Sequence, residues 1–83
     1  MSSEEDHYTP IACATYSEYE VAILHHQQLR VHWQTPDGAQ HLASLRPLDL
    51  ETCAGEEFLI AESGDGERLR IRLDWIRASA ALR

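Results

Sequence analysis

Eighty-three residues make one small domain and leave no room for a second. Fourteen acidic residues stand against seven basic ones, all arginine, and the formal charge of −7 argues against a binder that works by neutralising phosphate, on nucleic acid or on anionic lipid. The 43% hydrophobic share is that of an ordinary globular chain, and its longest strictly apolar run, Val21-Ala22-Ile23-Leu24, falls far short of the roughly 20 residues needed to cross a bilayer.

Residues 1–9 carry Glu4, Glu5 and Asp6 with almost nothing apolar before Tyr8, and read as a flexible acidic tail ahead of a domain over 10–78. This acidic start is the opposite of a basic-then-apolar signal peptide, so the expected compartment is the cytoplasm, with Cys13 and Cys53 as reduced thiols. The spacing then predicts a helix from Thr15 to about Gln27. Thr15-Tyr16-Ser17-Glu18 and Ser17-Glu18-Tyr19-Glu20 both have capping-box form. Tyr16, Tyr19 and Ile23 fall at helical spacing as an inner stripe, leaving Glu18, Glu20 and His25 toward water.

From Leu29 the period changes to two: Leu29, Val31 and Trp33 alternate with Arg30, His32 and Gln34 as a half-buried strand. Thr35-Pro36-Asp37-Gly38 is a turn, and a return strand from Ala39 to Leu45 is expected to point Leu42 inward. His32 faces His41 in one register and Ala43 in the other. Pro47 makes 46–55 read as irregular. A third strand covers Glu57 to Glu62, Ser63-Gly64-Asp65-Gly66 is a second turn, and a last strand runs from Leu69 through Ile76, with residues 79–83 as a C-terminal tail. One helix and four or five strands predict a mainly β fold: a small, strongly bent antiparallel barrel with the helix over one opening.

No catalytic motif appears, and so short a chain encloses little of a pocket, so an enzyme is not expected. Glu56-Glu57 read as solvated loop acids. His25-His26 at a helix end read as one packed and one outward ring. A His32–His41 pair would supply only half of a zinc site, so neither metal nor cofactor is expected. Arg68, Arg70 and Arg72 share one strand face and read as charge balance for neighbouring acids; the alternative is a small RNA-binding module. Residues 1–66 carry twelve acids and two arginines, a net −10, whereas 67–83 carry a net +3. The negative side suits a basic partner.

Tyr8-Thr9-Pro10-Ile11-Ala12-Cys13, then Tyr16, Glu20 and Ala22, then His25-His26, the Asp37-Gly38 turn, and Arg72-Leu73-Asp74 with Ile76, together resemble the Rho-binding antiterminator family. The likeness runs from about residue 8 to residue 77. It implies an Sm-like barrel with an N-terminal helix. It also implies a partner, the hexameric termination factor Rho, whose OB-type primary RNA-binding site such proteins obstruct, inhibiting Rho-dependent termination. The motif points to the Tyr8–Glu20 stretch, with Tyr16 and Tyr8 as contact area, while the acidic side that holds Glu5, Asp6, Glu18 and Glu20 is expected to steer association. On this reading the free protein is a monomer that binds neither nucleic acid nor membrane directly, and the rival within the same fold is an Sm-like RNA-binding module.

Overall fold

The computed structural model describes residues 8–82. Helix α1 spans Cys13–Leu24, followed by strands β1 (Leu29–Gln34), β2 (Gln40–Cys53), β3 (Glu56–Ser63), β4 (Arg68–Arg72) and β5 (Ile76–Ala81), with a single 3₁₀ turn, Leu73–Trp75, between the last two. The five strands form one antiparallel sheet in the order β4-β3-β2-β1-β5. The mainly β class with one N-terminal helix is as expected. The sheet is open, since β4 and β5 are its two edges.

The core lies between α1 and one face of the sheet. Tyr19 and Ala22 of the helix pack with Val31, Leu45, Leu59, Ile71 and Leu73, and Tyr16 joins them at the margin. Each fully buried aliphatic side chain contributes about 1.5–3 kcal/mol by leaving water. The helix begins earlier than its capping boxes suggest. Ala12 is the N-cap, without a side-chain bond, and neither Thr15 nor Ser17 caps anything. Tertiary contacts decide this, because Tyr8 and Thr9 are tied to the sheet and fix where the chain turns into the helix. They therefore belong to the packed part, while residues 1–7 of the expected tail lie outside the described residues. At the other end, Gln27 N–H donates to Ala22 O and His26 N–H to Ile23 O, a Schellman closure that sets His26 at φ 54°. Both His25 and His26 are exposed, so no ring packs there.

The first hairpin pairs Gln34 with Gln40 and His32 with Leu42, one residue away from both expected registers. That single slip moves a whole set of side chains across the sheet. Ala43 and Leu45 face the core, and Leu42 is 60% exposed. The cause is the loop. Gly38 N–H donates to Thr35 O and Thr35 N–H to Ala39 O, with Gly38 at φ 89°: a type I turn closed by a bulge that adds one residue. Ser63 to Glu67 repeats the device, with Gly66 also at φ 89°.

In both loops an aspartate accepts from the loop's first hydroxyl and from the backbone N–H two residues on: Asp37 from Thr35 and Ala39, Asp65 from Ser63 and Glu67. The hydroxyl bond, then the amide, lowers both carboxyl pKa values from the ordinary 3.8. Their contribution is therefore fully present above pH 3.8 and is lost as the pH falls through the lower folded-state values. The double variant Asp37→Asn/Asp65→Asn is expected to be less stable than the parent at neutral pH, with the gap closing in acid. A gap of constant size across a denaturation–pH series would reject this account.

Two further expectations change. Residues 46–53 are not irregular but the second half of β2, a continuous strand of 14 residues. Its register shifts between Pro47 and Asp49, and a bulge is where a sheet tolerates proline. The bulge bends β2, so that residues up to Leu45 pair with β1 and those from Leu45 onward pair with β3. The last strand is broken by the 3₁₀ turn, after which β5 lies along β1 through Ala81, where a tail was expected from residue 79.

Candidate functional site

Tyr8 is half-buried, and its hydroxyl donates to Glu57 Oε1 at 2.7 Å. Burial first, then that carboxylate, raises its phenol pKa far above the ordinary value. Beside it, Thr9 N–H donates to Asp74 Oδ2 at 2.9 Å. Asp74 also receives the Arg72 guanidinium in a forked pair, Nε to Oδ1 at 2.7 Å and Nη2 to Oδ2 at 3.1 Å. Arg72 further donates to Glu56 Oε2 at 3.3 Å and lies 5.2 Å from the Trp75 ring centre and 5.9 Å from that of Tyr8. Only 7% of the Arg72 side chain and 9% of the Asp74 side chain meet solvent. This latch holds the segment leading into α1 against the sheet.

Tyr16 stands one helical step along. Burial raises its phenol pKa, and the carboxylates of Glu57, Glu20 and Asp49 raise it further. These acids come from β3, α1 and β2 respectively. Glu57 thus acts on both tyrosines, accepting from the Tyr8 hydroxyl and raising the Tyr16 phenol, and the face they share is acidic.

Of the residues singled out from the sequence, Tyr8, Tyr16 and Glu20 meet on this face, while Glu5 and Asp6 lie outside the described residues. Glu18 does not join them. A separation of two residues turns a helix by about 200°, and Glu18 lines a cleft against Ser79 of β5 instead. The acids that sequence reasoning missed are Asp49 and Glu57. Glu56 and Glu57 are half-buried on β3 rather than solvated in a loop.

Two of the three arginines of β4, Arg70 and Arg72, balance acids, whereas Arg68 has no ion pair among the described residues. Arg70 pairs with Glu51 at 2.7 Å and lies 3.7 Å over the Phe58 ring, and Arg72 is held as above. The outer-wall placement fails for Arg72, which is buried. His32 bonds Gln40, and His41 stacks on Trp33 at 5.0 Å, so the imagined histidine pair does not form. Among the described residues no three His, Cys, Asp or Glu side chains are grouped to hold a metal ion. Cys13 and Cys53 are both free and exposed. No helix among these residues is long and apolar enough to cross a membrane.

No family model matches the chain, and no curated protein matches it. Among solved structures it is similar to proteasome accessory factor B/C (PafBC) of Arthrobacter aurescens, with a TM-score of 0.75 at 17% identity. That likeness covers 88% of this chain and 12% of the other. It is a likeness of fold.

Proposed function

We propose that this protein belongs to the Rho-binding antiterminator family and binds Rho at its primary RNA-binding site, keeping RNA out and inhibiting termination. The observation that carries the reading is the action of the Glu20, Asp49 and Glu57 carboxylates on Tyr16, with Tyr8 alongside. An OB-type groove holds single strands with basic side chains and aromatic platforms. An acidic surface that carries two aromatic rings complements such a groove in charge.

The two ingredients do different work. Exposed ion pairs contribute only about 0–1 kcal/mol each and fade with salt, so the carboxylates mainly steer the encounter. A partly buried tyrosine that loses its remaining water on docking supplies the holding contact. The Arg72 latch keeps Tyr8 and the start of α1 in place beneath both. The bent β2, shared between two ladders, and the strand order support reading the sheet as an Sm-like barrel. Acting on Rho places the protein in the cytoplasm.

The test is displacement. The protein is expected to release a fluorescent oligocytidine from Rho, less effectively as salt rises, without retaining the oligonucleotide itself. Retention by the protein alone would make it an RNA-binding module, and indifference of Rho to the protein would overturn the proposal.

A further inference from the structure

A cleft runs between α1 and the free edge of β5, on the side of the helix away from Tyr16. It comprises two adjoining hollows of about 350 and 460 Å³. Glu18, Tyr19 and Ser79 line both. The larger apolar share comes from Ala14, Val21 and Ala22 of the helix and from Ala80 and Ala81 of the strand.

The strand edge carries backbone groups without a ladder. Leu82 N–H donates to Gln28 O at 2.9 Å, and the β1–β5 register is regular from Leu29↔Ala81 to Val31↔Ser79. Ladder bonds alternate along an antiparallel strand, so the N–H and C=O of Ala81 and Ser79 point away from β1, into the cleft. This edge lacks the usual protections: it has no proline, no lysine and one arginine, Arg77, which is turned to Asp74 O. Its alanines and serine leave room for a backbone to approach.

We infer that this cleft is a docking site for an extended peptide segment of a partner protein, which adds to β5 as a sixth, antiparallel strand. Alternate apolar side chains of the segment enter the hollows beside Ala22 and Tyr19. One basic side chain meets Glu18, which has no ion-pair partner among the described residues. Six residues of β5 set the useful length of the segment. Recognition of this kind takes affinity from main-chain bonds and selectivity from the pockets. The site stands independently of the Rho reading, because it lies on the other flank of the helix.

The probe is a fluorescein-labelled hexapeptide alternating valine and threonine, with one terminal arginine, followed by anisotropy against the full chain. Saturable binding is expected. Methylating alternate backbone nitrogens of the peptide is expected to weaken it about tenfold, since ladder bonds are lost. Ala81→Pro removes an outward N–H without touching the β1 ladder, and Ser17→Trp fills the cleft from an exposed helix position. Each is expected to weaken the peptide by about tenfold while Rho displacement stays unchanged. Absence of saturable binding, or equal binding of the methylated peptide, would overturn the inference whatever either variant does. Concentration-dependent dimers that Ala81→Pro abolishes, without peptide binding, would assign the edge to a second copy and overturn it too.

Discussion

Replacing Glu20 and Glu57 together by lysine is expected to slow the association of this protein with Rho by about tenfold at low salt, with a much smaller change at high salt. Tyr16→Ala is expected to act on the other rate, speeding dissociation by about thirtyfold, the size of a 2 kcal/mol anchor. Glu18→Lys is the control. It changes net charge as much per residue as either acid but lies on the opposite flank, so stopped-flow association with Rho should barely respond. If Glu18→Lys slows association as much as Glu20→Lys does, net charge rather than the tyrosine face governs the encounter. If Tyr16→Ala leaves dissociation unchanged, the ring is not the contact.

Asp74→Ala is expected to cost about 3–5 kcal/mol of folding stability, a large share of what so small a domain possesses. The substitution removes the forked carboxylate from the Arg72 guanidinium, where 7% of its side chain reaches water, and leaves Glu56 at 3.3 Å. It also removes the acceptor of Thr9 N–H, so the segment before α1 loses that tie and keeps the Tyr8–Glu57 bond. Replacing both Arg72 and Asp74 by leucine should restore much of the loss, because a buried pair pays a desolvation cost that apolar side chains avoid. Urea denaturation of the single and double variants measures both. A cost below about 1 kcal/mol for Asp74→Ala would mean that the pair behaves as a surface ion pair.

What could be read from the sequence was mostly local. The alternation of Leu29, Val31 and Trp33 gave β1, the Pro-Asp-Gly and Gly-Asp-Gly turns fell in place, and a helix around Tyr16 to Ile23 was plain from its spacing. The errors arose where a single residue changes phase. The bulge at Gly38 moved the register of β2 by one and turned Leu42 outward, although the turn itself was located correctly. Pro47 reads as a breaker in any window of sequence; only the bend of β2 makes a place for it. The site was legible on its helical side, in Tyr8, Tyr16 and Glu20. Asp49 and Glu57 reach it through long-range strand pairing, which no local pattern near either residue announces. The pairing of Glu18 with Glu20 as one edge failed because helical rotation sets them on opposite flanks.

The bulge in β2 has an evolutionary corollary. Ahead of it the odd positions, Ala43, Leu45 and Pro47, are the sheltered ones; beyond it the even positions, Leu48 and Leu50, take over, and Asp49 is exposed. Loss of one residue here would let the alternation run unbroken, with Asp49 still outward and Leu50 inward, but it would remove the bend that lets β2 serve two ladders. Chain length between Leu45 and Leu50 is therefore under tighter constraint than residue type, and homologous chains should vary in composition across this stretch while resisting insertion or deletion.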